Sequence, residues 1–464
     1  MKRREFLRRS AGVVSLGAGA GLLAAPSAHA QSGGYRALVC LFLYGGNDGL
    51  NMVPRVDADG YGKYAAVRAG LALPRASITQ LDATYGLHPN LAPLKALWDE
   101  GSLALILNAG PLARPMTKDQ YLQWRSLNNP AYVPESLYSH EDQQILWQNA
   151  DSVTITSTGW GGRLMDRLGG ADHFSFAGTS RFGAGMSSQE LVLPGPGSTL
   201  GLNGYWDGRA PNARRAALDT LVASSSSNRL QARYAALQRS AFDTSTRLGP
   251  ILQQQPASGS ADPANPELSS AFGNLSGVYG SGIARQLYQV AKMIKNRATV
   301  GGSRHLFFVS MGGFDNHANL LSDHGALMGQ MGPALAAFSA AMKNLGMADQ
   351  VTLFTESDFG RTFLPNSTAG VDHAWGNQQL VMGGAVQGRA AYGTYPSLLL
   401  GGPDDAGGQS WEHQGRWIPS VSVDQYAATL AAWFAPELVT QLPQILPNLN
   451  NFPVKNLGFM RAAV

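Results

Sequence analysis

The feature that most restricts this chain is a repeated arrangement. An apolar run of strand length stops at a glycine or a polar residue, an acid follows, and helical sequence comes next. Arg36 to Tyr44 runs into Gly45 and Gly46 and then Asp48. His305 to Ser310 ends at Gly312 and Gly313, with Asp315 and His317 beyond. Val351 to Thr355 is followed by Glu356 and Asp358. Leu103 to Leu107 and Leu380 to Met382 read as further buried strands. Short apolar runs alternating with helices specify an α/β fold, with a mostly parallel central sheet flanked by helices.

The helical stretches are expected at 91–98, 139–149, from 161, at 283–296, 325–345 and 424–434. Ser139 is placed as an N-cap. Residues 205–270 differ in composition and read as a helical and loop insertion. Arg209 to Gln255 is alanine-rich, with a serine run at 224–227, and Gln253 to Pro266 has the Gln, Ser, Gly and Pro content of a surface loop.

In parallel sheets, ligands bind beyond the carboxyl ends of the strands. Gly45 and Gly46 permit a sharp turn there, which presents Asp48 at the rim. Carboxylates gathered at one rim repel one another unless a cation shares the space. Asp48, Asp315, His317, Glu356, Asp358 and His373 are therefore the candidate metal ligands. Oxygen donors with imidazoles suit a divalent ion such as Zn, Mn, Mg or Ca, and turn chemistry without any ion uses the same residue types. His324 is a weaker ligand candidate, since it sits further into its loop or in a first helical turn. Arg361 could clamp an anionic substrate or neutralise the acids beside it. Ser139 at a helix start suits an oxygen nucleophile and equally suits plain capping. His140 is not expected to serve Ser139 as a base, because adjacent side chains on a helix diverge. No Gly-x-Ser-x-Gly elbow is present.

The amino terminus reads as an export signal over residues 1–30. Lys2, Arg3, Arg4 and Glu5 precede a Gly- and Ala-rich stretch, and Ala28-His29-Ala30 fits a cleavage site. The arginine pair followed by Phe6-Leu7 resembles a twin-arginine signal, which implies the twin-arginine export machinery as partner and a periplasmic or secreted destination. The signal carries five basic residues and one acid, 5 − 1 = +4, which accounts for the whole formal charge of +4. The remainder, 31–464, is neutral and expected to be one domain. Nothing in it points to nucleic acid, and no later segment is apolar and long enough to span a membrane. Cys40 is the only cysteine, so an internal disulfide and a cysteine metal cluster are both excluded.

Several segments together resemble the DUF1501 family, exported bacterial proteins of uncharacterised activity. They are Gly45 to Asn51, Leu87 to Leu91, Ser139 to Trp147, Gly312 to His317, Phe354 to Arg361, Asp372-His373, Gly383 to Gly388 and Ser422 to Tyr426. That family in turn resembles the alkaline phosphatase and sulfatase superfamily. The resemblance implies an alkaline-phosphatase-like fold and a metal-dependent hydrolase of small phosphate or sulfate esters. It also implies the order Asp48, Ser139, Asp315, Asp358, His373, with Ser139 as nucleophile. Phe359 stands where the superfamily carries a second imidazole, and Asn319 stands where an Asp-x-x-x-His would place its histidine. These departures favour a single ion, or a non-catalytic binding protein that keeps the fold.

Overall fold

The computed structural model describes residues 34–127, 133–134, 136–152, 154–169, 173–195, 198, 200, 211–223, 228–253 and 261–461. The expected export signal, the serine run at 224–227 and residues 254–260 of the expected loop lie outside these.

The main sheet contains β1 (Arg36–Leu43), β2 (Leu103–Gly110), β3 (His173–Ser175), β4 (Glu190–Val192), β5 (Arg304–Met311), β6 (Val351–Ser357), β7 (Asn377–Met382), β8 (Ala390–Gly393) and β9 (Val421–Ser422). Their spatial order is β8-β2-β7-β6-β1-β5-β3-β4, and β9 pairs with β2. Only β7 runs against its neighbours, β2 and β6; every other pair is parallel. The expected fold class, a mostly parallel sheet flanked by helices, is the one observed. Strands β3, β4, β8 and β9 are two to four residues long, too short to register as apolar runs.

Alternation along β1 sends its side chains to two cores. Val39, Leu41 and Leu43 join one apolar cluster, and Leu38, Cys40 and Phe42 join the other. On the first face lie α5 (Gly282–Lys295) and α6 (Leu320–Asn344). Helix α5 buries Ile283, Leu287, Val290 and Ile294, the i, i+4, i+7, i+11 pattern of one apolar stripe. On the second face lies α7 (Val423–Phe434), capped by Ser422 and burying Tyr426 and Leu430. Within the expected insertion lie α3 (Pro211–Ala223) and α4 (Arg229–Gln253), and the short helix Pro266–Ala271 begins at its end. No helix among the described residues is long and apolar enough to cross a membrane.

Register fixes where the site can form. Leu43 at the end of β1 pairs with Met311 of β5 on one side and with Ser357 of β6 on the other. The chain therefore leaves all three strands at the same edge. Because β7 is antiparallel to β6, residues 358–376 start and finish at that edge too. Helix α2 (His140–Asn149) packs beside β6.

Candidate metal centre

The turn after β1 prepares the rim. Gly45 and Gly46 have φ of +109° and +78°, a region open to glycine at little cost. A Cβ on Gly45 would lie 2.6 Å from the Asp315 nitrogen, and one on Gly46 would lie 2.5 Å from the Phe359 ring. The bare backbone thus lets two neighbouring loops close over the end of β1.

Arg361 ties these loops together. Its side chain is fully buried and donates to the carbonyls of Gly45, Gly46, Phe314 and Val371, and to Asp315 Oδ1 at 2.6 Å. Burial pushes the Asp315 carboxyl up, but the bond and charge of Arg361 win and hold it below its usual range. Of the two roles open to Arg361 in the sequence, the structure shows neutralisation and tethering. Its donors are spent inside the protein.

Three imidazoles face Asp315. Oδ1 of Asp315 lies 3.3 Å from His140 Nε2, 3.0 Å from His317 Nε2 and 3.5 Å from His373 Nε2. Each ring is held by its other nitrogen. His140 Nδ1 meets Asp358 Oδ2 at 2.7 Å, His317 Nδ1 meets Asp372 Oδ1 at 2.9 Å, and His373 Nδ1 meets the Tyr138 carbonyl at 2.7 Å. Carbonyl and ionised carboxylate oxygens only accept, so each Nδ1 carries a proton. In the neutral rings every Nε2 is then an unprotonated lone pair. His140 Nε2 is buried and makes no hydrogen bond. Donor atoms of His140, Asp315 and His373 all lie within 4.8 Å of one another. Two lone pairs and a carboxylate oxygen at that separation repel unless a cation lies among them. Imidazoles whose far nitrogens are tied to carboxylates and carbonyls have the arrangement of metal ligands with an outer shell. A nitrogen-rich set suits Zn and its transition-metal neighbours better than Mg or Ca, which take oxygen donors.

The remaining candidates fall elsewhere. Asp358 is fully buried and supports the ligands from behind: Oδ1 accepts from Gly45 N at 3.1 Å, and Oδ2 from Gln144 and His140. Asp48 turns away. Both its oxygens are taken by Arg68, at 2.7 and 2.9 Å, in a pair with essentially no solvent exposure. Its expected place among the ligands is corrected, because Arg68 supplies the neutralising charge an ion would otherwise provide. Glu356 shares a face with Phe354 and points under the sheet, between Cys40 and Trp160. Burial pushes its carboxyl up to about 8, which favours the protonated form, and both its oxygens face Cys40 and Trp160 and not the cluster. His324 is buried against Asn47, outside the cluster. Ser139 caps α2, with Oγ accepting from the Asp142 nitrogen at 3.5 Å.

His140 is the member of this cluster that sequence reasoning missed. A signal was present: His140 and Gln144 are one turn apart on α2, and both reach Asp358.

Comparison with known proteins places this geometry in context. The model of the family described as "Protein of unknown function (DUF1501)" matches residues 195–401, so the expected family resemblance holds over that stretch. No curated protein matches. Among solved structures, the chain is similar to a protein in the alkaline phosphatase superfamily from Vibrio parahaemolyticus, at 11% identity and TM-score 0.32. That likeness covers 77% of this chain and 62% of the other, so the chain spans less than two thirds of it. It is also similar to the PsFucS1 sulfatase from Pseudoalteromonas sp., at 11% identity, 86% and 72% coverage and TM-score 0.31. A third is the phosphonate monoester hydrolase SpPMH from Silicibacter pomeroyi, at 10% identity, 83% and 78% coverage and TM-score 0.27.

Proposed function

We propose that this protein is an exported hydrolase of phosphate or sulfate esters that works with a single divalent metal ion. The observation that supports it is the convergence of His140, Asp315 and His373, each locked by a second partner, with their donor atoms all within 4.8 Å of one another. Those three side chains would hold the ion, and Asp358, the Tyr138 carbonyl and Arg361 would fix their orientation. A divalent ion held there would supply Lewis acidity toward an ester oxygen. The ester class is what the resemblance to the alkaline phosphatase and sulfatase superfamily implies, and the exported location is what the twin-arginine-like amino terminus implies.

The chain's own part is positioning and proton transfer. Asp315 and His317 have half-exposed side chains, so solvent and substrate reach the cluster. His317 is backed by Asp372, which in turn accepts from Asn366 at 3.0 Å. This carboxylate–imidazole pair presents Nε2 at the edge of the cluster, where it takes a proton from attacking water and returns it to the leaving group. Among the described residues the Ser139 hydroxyl has no base within hydrogen-bonding distance, and its one hydrogen bond there is the cap. We therefore assign attack to water and capping to Ser139.

The test is metal analysis of the purified protein joined to a screen of phosphate monoesters, phosphate diesters and sulfate esters. Stoichiometric metal with turnover that is lost in His373→Ala supports the reading. Absence of both metal and turnover sinks it. Metal without turnover would favour the second reading, a non-catalytic binding protein. The observation behind that alternative is Phe359, whose ring packs against His140 and His373 with centroids 4.8 and 4.6 Å away, where the superfamily that the chain resembles carries a second imidazole.

A further inference from the structure

We propose that Arg416 is the receptor for a tetrahedral oxyanion beside the His140–Asp315–His373 cluster. The inference deepens the hydrolase reading by naming the group that would grip the phosphoryl or sulfuryl oxygens. It rests on that reading for its purpose but not for its test.

Two arginines near this edge of the sheet, Arg68 and Arg361, are buried and committed to partners inside the protein. Arg68 is consumed by Asp48 and the Thr362 carbonyl. Arg361 is consumed by Asp315 and four backbone carbonyls. Arg416 is different. Its Nε donates to the carbonyl of His373 at 3.0 Å, and its guanidinium carbon lies 4.7 Å from the centre of the Tyr138 ring. The backbone is also anchored: the Arg416 nitrogen donates to Asp405 Oδ1 at 3.3 Å, and its carbonyl accepts from the Ala406 nitrogen at 2.9 Å. Its two terminal nitrogens have no partner among the described residues, and the residue is half-buried.

The consequence is a guanidinium whose plane is set by an aromatic face and one hydrogen bond, with its remaining N–H groups unspent. The charge is permanent and the donors form a fixed fork that matches two oxygens of one oxyanion. Its two tethers, Tyr138 and His373, are joined by the bond from His373 Nδ1 to the Tyr138 carbonyl. A movement of Arg416 is therefore coupled to a proposed metal ligand. Asp372 feels the charge of Arg416, but its Oδ1 is engaged by His317 and Asn366. An incoming oxyanion meets a cation already oriented, at low entropic cost.

Calorimetry with inorganic phosphate, sulfate and acetate, on zinc-loaded and metal-stripped protein, tests the assignment. Metal content is measured alongside for wild type, Arg416→Gln and Arg416→Lys. Glutamine keeps a donor for the His373 carbonyl and removes the charge and the fork. We expect phosphate or sulfate binding to weaken at least about tenfold in Arg416→Gln, as for a lost charge-assisted hydrogen bond, with metal content unchanged. Lysine should recover only part of the loss, and it carries the test if the glutamine variant melts early. The relative strength of phosphate and sulfate names the ester. The assignment is overturned if Arg416→Gln binds oxyanions as wild type does, if it loses metal together with oxyanion, or if acetate binds as tightly as phosphate and sulfate. If wild type takes up no metal, the hydrolase reading falls, while the contrast between wild type and Arg416→Gln in stripped protein still decides this inference.

Discussion

Nε2 of His317 and Nε2 of His373 stand 2.9 Å apart, and each ring has already committed its Nδ1 proton, one to Asp372 and the other to the Tyr138 carbonyl. Two bare lone pairs do not rest at that distance. In the metal-free protein a proton shared between the two Nε2 atoms would relieve that approach, and an ion bound to His373 would displace it. Metal uptake should therefore release protons. Titrating zinc in two buffers of different ionisation enthalpy will give different apparent heats. Identical heats would show that no proton moves.

His317→Gln should separate binding from turnover. The three proposed ligands are untouched, so metal content stays at the wild-type level. Loss of the proton carrier lowers kcat by about 10²–10⁴ and flattens its pH dependence. A variant that loses metal in proportion to activity would make His317 a ligand instead.

Asp48→Asn should leave metal content unchanged and lower stability. The side chains of Asp48 and Arg68 are at most 1% exposed, and removing one partner leaves the other charge buried alone. The expected cost is about 3–5 kcal/mol, read from denaturant unfolding. Wild-type stability with lost metal would return Asp48 to the site.

Glu356→Gln should change how stability depends on pH. The carboxyl is raised from 4.5 to about 8 by burial, so between those values the folded protein holds a proton that the unfolded chain has lost. Stability is fully present below the lower value and falls as pH rises through the window, by about 1.4 kcal/mol per pH unit at most. The glutamine variant lacks this slope. Unfolding curves from pH 4 to 9 will show whether the two proteins diverge above pH 5.

Ser139→Ala should cost about 1 kcal/mol through the lost cap while turnover persists. A drop of several orders of magnitude in kcat at unchanged metal content would make Ser139 the nucleophile.

Much of this arrangement was legible before any coordinates. Runs such as 36–44 and 305–310 gave strands in their observed places, and the acids beyond them marked the correct edge. Asp315, His317 and His373 do meet there. What stayed hidden was partnership across the fold. Nothing near Asp48 announces that Arg68, on the helix Ala58–Arg68, will take both its oxygens. Glu356 was closer to being readable: Phe354 two residues earlier is a core residue, and the two-residue period of a strand sends Glu356 after it. His140 was weighed only against its neighbour Ser139, whereas its true partner is Asp358. Arg361 offered two roles, and only the carbonyls of the loops around it decide between them.

The reversed strand β7 has a consequence for how such a site changes over time. Asp358, Arg361, Asp372 and His373 all lie within one uninterrupted excursion between two adjacent strands. One exchange of that segment would replace the candidate ligand His373, the arginine that tethers Asp315 and the backing carboxylates of two imidazoles at once, and leave the scaffold beneath intact. Relatives on this framework could thus gain, lose or retune their chemistry in a single genetic event.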